Sequence, residues 1–345
     1  MKNKSSHIIL SLVLFIGVSF AFIKSSNKKI PFEVPKGWPQ PQYDFSKNPL
    51  TEEGFKLGSA LFYDPILSKD NTISCASCHL SFTAFTHADH SLSHGIEGKI
   101  GVRNSLALIN LAWNKSFMWD GGVNNLEVQP INPITNPLEM DSKLSDVVNN
   151  LNNSAKYRKL FFEAFEDSTV TSQKLLKALA QYTSQLVSYN SKYDSVMRKE
   201  SVFSERELNG YKIFKQNCSS CHTEPLFTNY SFQNNGLKMD TILKDFGRMK
   251  ITQNNQDSLK FRVPTLRNIE FSAPYFHDGR VNKLKDVIQH YSAGIVQSKT
   301  LANELQTQMI LSDQDKKDLL VFLKTLTDKY ALYQERYRYN YSSPK

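Results

Sequence analysis

Cysteine is scarce, with four in 345 residues. None lies near the N-terminus, which argues against a cleaved lipoprotein, and all four fall in two copies of one pentapeptide. Long basic runs are missing as well. The formal charge of +9 therefore does not by itself point to nucleic acid. It drops to +6 once Lys2, Lys4 and Lys24 are set aside, three charges in an acid-free segment that ends near Ser26. The remaining positive balance suits acidic redox partners. The apolar run from Ile8 to Ile23 is short for a membrane span and, behind Lys2 and Lys4, has the pattern of a secretory signal. No clean small-x-small cleavage site follows it, so retention as an N-terminal membrane anchor stays open.

What is present is Cys75-Ala76-Ser77-Cys78-His79 and Cys218-Ser219-Ser220-Cys221-His222. Each reads as an attachment site for a covalent c-type haem, with the histidine as an iron ligand. Two residues between the cysteines let one tight turn present both sulfurs along the haem edge, and the next residue then falls beneath the metal. A zinc site or a redox dithiol is the plainer alternative, but neither requires a histidine after both pairs. Covalent haem attachment takes place outside the cytoplasm, so export and the haem motifs agree on a periplasmic protein.

The chain is long enough for two ordinary domains, and two haems suggest one in each. Residues 1–26 form the signal or anchor, 45–190 the N-terminal haem domain, 200–330 the C-terminal haem domain and 331–345 a tail of unread structure. The pattern is mainly α. Pro31, Pro35, Pro39 and Pro41 make an extended lead-in, and Leu50 to Tyr63 has helical apolar spacing. From Cys75 to Pro137 the residues favour long loops with short helices. Leu175, Leu176, Leu179, Tyr182, Leu186 and Val187 form one helical stripe, and the polar residues 188–203 read as a linker. Capping boxes at Ser204 and Ser312 open two further helices, the second carrying Leu319, Phe322 and Leu323 as a haem-pocket wall.

Function turns on what completes each iron's coordination, because two strong ligands favour electron transfer and an open position favours peroxide chemistry. Beyond His79 and His222, the histidines His87, His90, His94, His277 and His290 are available, although a structural role is the ordinary one for each alone.

The ordered motifs resemble one family. His94-Gly95, Arg103-Asn104, Trp119-Asp120-Gly121, Gln129 and Asn136-Pro137-Leu138-Glu139-Met140 stand between the two haem motifs. Phe261-Arg262-Val263-Pro264-Thr265-Leu266-Arg267-Asn268 and Ala273-Pro274-Tyr275-Phe276-His277-Asp278-Gly279 follow. Over residues 50–327 this resembles the bacterial dihaem cytochrome c peroxidases and their MauG-like relatives. The resemblance implies two cytochrome c-like haem domains around an interdomain cleft.

It also implies roles. Glu139 stands as acid–base catalyst over the peroxidatic haem, Gln129 as a pocket amide and Trp119 as the bridge between haems; without the motif, Glu139 would read as a helix cap and Trp119 as packing. Asn104 with the carbonyls of Ser272 and Pro274 matches an interdomain calcium site, with serine where relatives have threonine. His94 corresponds to a histidine that blocks the first iron, two residues further from Arg103-Asn104 than usual. Tyr291 takes the distal position on the second iron, where peroxidases of the usual type have methionine and MauG-like proteins have tyrosine; its hard oxygen would stabilise oxidised iron. His290 is the rival ligand, and helix geometry lets only one of the two face the metal. The implied reaction is hydrogen peroxide reduction with electrons from a small cytochrome c or other one-electron donor. A MauG-like oxidase acting on a protein or aromatic substrate is the alternative, and a dihaem electron carrier the non-enzymatic one. Homodimers occur in the family.

Overall fold

The computed structural model describes residues 28–338; the signal or anchor expected over 1–26 and the tail after 338 lie outside them. Twelve α-helices are described, with strands limited to two pairs of two residues: Lys29–Ile30 with Leu50–Thr51, and Phe232–Gln233 with Phe261–Arg262. The architecture is mainly α, as the sequence indicates. No helix among the described residues is long and apolar enough to cross a membrane.

The first half contains α1 (Glu52–Tyr63), α2 (Cys75–Cys78), α3 (Ile131–Thr135), α4 (Leu144–Asn153), α5 (Ala155–Phe165) and α6 (Ser172–Ser184). Thr51 caps α1 by accepting from the Gly54 amide, and Glu52 and Glu53 complement the helix dipole. Helix α1 crosses α6 closely because Gly58 has no side chain: a Cβ there would overlap the Ala178 carbonyl oxygen. Phe55, Leu57, Leu61 and Phe62 of α1 then meet Leu175, Leu179 and Tyr182 of α6 in one core. Each such side chain fully withdrawn from water contributes about 1.5–3 kcal/mol.

The second half repeats the device. It contains α7 (Lys192–Met197), α8 (Glu205–Asn217), α9 (Met249–Thr252), α10 (Leu284–Gln289), α11 (Asp313–Lys324) and α12 (Lys329–Tyr333). Both expected capping boxes form, Ser204 with Glu207 on α8 and Ser312 with Asp315 on α11. A Cβ at Gly210 of α8 would overlap the Asp318 carbonyl of α11, and Phe214, Leu319, Phe322 and Leu323 close the second core. Each half thus uses a glycine-seated helix crossing to deliver a Cys-x-x-Cys-His segment.

Residues 188–203 are more ordered than the expected linker. They carry α7, whose buried Asp194 receives two hydrogen bonds from the guanidinium of Arg267 at 2.9 and 2.8 Å. The tail returns to the first half, where Leu332 and Tyr337 join the N-terminal core and the Tyr337 hydroxyl donates to the Gln185 carbonyl at 2.7 Å. The halves are also joined by Arg103, which binds Asp120 at 2.6 Å and, across the cleft, Asp245 at 2.6 and 3.0 Å. Burial alone would raise the Asp245 carboxyl, but Arg103 holds it well below the usual carboxylate range.

Candidate active site

The two pentapeptides are built alike. Ser74 and Ser77 cap the single turn of α2 reciprocally, while the second motif continues directly from the end of α8. His79 Nδ1 lies 2.6 Å from the Phe85 carbonyl, and His222 Nδ1 lies 3.1 Å from the Phe227 carbonyl. With Nδ1 engaged, each ring is oriented by backbone, and Nε2 is the atom that would ligate iron. Burial pushes both imidazoles down to about 4, keeping them neutral as iron ligation requires. Phe85 and Phe227 adopt left-handed backbone, φ 57° and 54°, an unusual conformation for bulky residues and one shared by the two carbonyls that hold these rings.

None of the four cysteines is in a disulfide. Burial pushes Cys75 and Cys218 up to about 12. Among the described residues no group of three or more His, Cys, Asp or Glu is arranged to hold a metal. Instead each motif opens into its own cavity.

The first cavity, about 1280 Å³, is lined by Cys78, His79, Trp119, Gln129, Glu139 and Arg262, among others. The second, about 1330 Å³, includes Cys218, Cys221, His222, Tyr291, Trp119 and Arg262. A thiol pair, a neutral imidazole and a space of this size at each end fit a covalent haem.

Glu139 is placed by the turn that follows α3. Asn136 Oδ1 accepts from the Leu138 amide at 3.0 Å, and Asn136 Nδ2 donates to Glu139 Oε1 at 2.8 Å. Burial raises the Glu139 carboxyl above its ordinary value, and the Asn136 bond partly offsets this. Gln129 shares the cavity, its amide 3.8 Å from Met118 Sδ. Trp119 lines both haem cavities and donates from Nε1 to the Asn104 carbonyl at 2.8 Å. The structure brings His79, Gln129, Glu139 and Trp119 to the wall of one cavity.

His94 is placed differently. Its ring stands 4.2 Å from that of His90, which stands 4.4 Å from that of His87, while the neighbouring Ser93 lines the first cavity. Gly95 fits tightly under the backbone of Leu138 and Glu139, so the His94 loop is stitched to the catalytic turn without its imidazole entering the lining. In the second cavity the two rivals separate. His290 Nε2 lies 3.0 Å from the Asn235 carbonyl, whereas Tyr291 lines the cavity, with burial pushing its phenol up to about 12.

Two features were missed at the level of sequence, Met309 and the burial of Arg262, and the surroundings of Asn104, an expected calcium ligand, are resolved. Met309 also lines the second cavity, far in sequence from any motif. Arg262 lines both haem cavities, is buried, and has no carboxylate partner among the described residues; burial pushes its guanidinium down to about 10. A buried cation of this kind requires an anion. Asn104 Nδ2 points at the Pro274 and Phe276 carbonyls, 2.6 and 3.1 Å away, while its Oδ1 is buried without a partner.

A sequence signature described as di-haem cytochrome c peroxidase matches residues 52–202. A methylamine utilization protein MauG of Methylophilus methylotrophus is 32% identical over 327 residues, covering 93% of this chain and 95% of that protein. A cytochrome c551 peroxidase of Nitrosomonas europaea is 34% identical over 277 residues, 79% of each chain. Among solved structures, a MauG-like protein described as associated with microbial copper homeostasis superimposes with a TM-score of 0.79 at 31% identity, covering 90% of this chain and 99% of that one.

Proposed function

The chain belongs to the di-haem cytochrome c peroxidase and MauG family, and from that membership we propose that it reduces hydrogen peroxide to water in the first cavity, with electrons arriving singly from a small cytochrome c or similar carrier. One observation carries this reading: a half-buried carboxyl, Glu139, and an amide, Gln129, share one cavity with His79 and Cys78. An electron carrier has no use for that pair.

A haem held by Cys75, Cys78 and His79 would supply the redox chemistry of O–O bond cleavage. The chain manages the protons. Glu139 would accept a proton from one peroxide oxygen and return it to the departing one, a relay one carboxyl can perform in a confined space. Asn136 fixes Oε1 for that transfer, and Gln129 is available to hold peroxide or water. Trp119, at the wall of both cavities, connects the two centres. Arg262 would bind the haem propionates, the anions that its burial without a carboxylate calls for.

Calcium is the further cofactor proposed. Turning the Asn104 amide over would direct its orphaned Oδ1 toward the Pro274 and Phe276 carbonyls, an all-oxygen set suited to a hard cation, and Ser272 lines the same gap. The basic and apolar pattern of residues 1–26, with covalent haem, supports export to the periplasm, soluble or anchored. A second reading, a MauG-like oxidase of a protein or aromatic substrate, is favoured by one observation, Tyr291 rather than His290 in the second cavity.

The test is stoichiometric. With reduced small cytochrome c and limiting peroxide, the holoprotein is expected to oxidise two carrier molecules for each peroxide lost. Peroxide left intact beside the reduced carrier would contradict the proposal.

A further inference from the structure

A second set of oxidisable side chains lies behind the second haem motif, away from the cavity. Glu224, two residues after His222, accepts hydrogen bonds on one oxygen from two phenols: Tyr193 Oη donates to Oε1 at 2.6 Å and Tyr211 Oη at 2.9 Å. Its other oxygen receives Lys215 Nζ at 2.6 Å. The two tyrosine rings are 6.4 Å apart. Tyr193 is 3% exposed and packs on Phe227 at 4.8 Å, the residue whose carbonyl orients the His222 imidazole. Tyr211 is half-buried, and both belong to the core that includes Cys218. The set therefore runs from the proximal side of the second haem toward the surface.

Oxidising a phenol by one electron makes it a strong acid, so a buried tyrosine gives up an electron readily only when a base stands in hydrogen-bond contact to take the proton. Burial of a tyrosine calls for one hydrogen-bond partner, and a backbone carbonyl suffices for that. Two phenols converging on a single carboxylate oxygen beside a haem supply more than packing needs.

We propose that Tyr193, Glu224 and Tyr211 form a proton-coupled outlet that carries oxidising equivalents from the second haem to the surface when the carrier is scarce. This rests on the peroxide reading, since peroxide is the oxidant. One electron leaves Tyr193 for the oxidised haem, and its phenolic proton crosses to Glu224 Oε1. Tyr211 then gives an electron to Tyr193; the proton on Glu224 returns to Tyr193, and the Tyr211 proton replaces it on Glu224. The oxidising equivalent ends on Tyr211, where a small one-electron reductant in solution restores the phenol with the proton held by Glu224.

The experiment mixes the holoprotein with one equivalent of peroxide in the absence of carrier, freezes it at intervals, and records electron paramagnetic resonance alongside the haem optical spectrum. A phenoxyl signal is expected in the unaltered protein. It should be lost in Tyr193→Phe, change its hyperfine pattern in Tyr211→Phe as the radical stays on Tyr193, and form about 100-fold more slowly in Glu224→Gln, which lacks the proton acceptor. Tyr211→Phe, at a half-buried site, keeps the test usable where Tyr193→Phe folds poorly. Haems that respond to peroxide with no phenoxyl signal, or with one unchanged in all three variants, would overturn the outlet alone. Haems that do not respond would overturn the peroxide reading and the outlet with it.

Discussion

Glu139→Gln is expected to slow peroxide turnover by about 10²- to 10⁴-fold, the span for loss of a positioned acid–base group, while leaving both haem spectra nearly intact. The amide keeps the shape of the carboxyl and a contact for Asn136, but it cannot accept and return a proton. The pH profile follows from the same group. Burial raises the Glu139 carboxyl above its ordinary value, and the relay must begin from the charged form, so the rate falls as pH drops through that raised pKa. Asn136→Leu removes the hydrogen bond that favours the charged form, so the acid limb should move to higher pH. Stopped-flow rates against pH for the three proteins check both statements. Full activity in Glu139→Gln would remove the residue from the mechanism.

Arg267→Leu is expected to cost about 3–5 kcal/mol of stability, the usual consequence of leaving one member of a buried ion pair uncompensated. That is a large share of the roughly 5–15 kcal/mol available to a folded domain. Arg267 is 1% exposed, pairs through two nitrogens with Asp194, donates from Nε to the Pro225 carbonyl at 2.9 Å, and lies 4.6 Å from the Trp38 ring. Burial alone would raise the Asp194 carboxyl, but Arg267 holds it below the usual range. A carboxyl depressed in this way stabilises the fold above its unfolded pKa, and the contribution is lost as pH falls through the depressed value. Denaturant midpoints measure the loss. Removing both partners, Asp194→Leu with Arg267→Leu, should recover much of it, because no buried charge is then left alone. Since Pro225 adjoins the loop that orients His222, haem content is expected to fall with stability in the single variant.

These two residues also mark what a sequence reveals. Glu139 could be singled out because it stands in a contiguous motif, Asn136 to Met140, whose resemblance to a family implies its role; its own chemistry reads equally as a helix cap. The capping boxes at Ser204 and Ser312, and the stripe from Leu175 to Leu186, were legible because their patterns lie within short stretches of chain. Asp194 was not. In a polar run it resembles a linker residue, and its burial depends on Arg267, 73 positions away. Arg262 stands inside a recognisable motif, yet nothing in the motif says that its guanidinium is buried without a carboxylate between two cavities. Met309 and the docking of Tyr337 depend on tertiary placement in the same way. The choice between His290 and Tyr291 could be framed from helical spacing, but it took the irregular turn at His290–Gly294 and the Asn235 carbonyl to separate them.

The central claim is that the first cavity handles peroxide at an iron with an open position, while Tyr291 serves the second. Electron paramagnetic resonance and optical spectra of the fully oxidised holoprotein, before and after one equivalent of peroxide, test it most directly, with Tyr291→Phe in parallel. His94 stays outside the lining of the first cavity, so the account predicts one high-spin signal that responds to peroxide without prior reduction, and a second signal that alone changes in Tyr291→Phe. Two low-spin signals that ignore peroxide until an electron is supplied would contradict it and return His94 to the first iron.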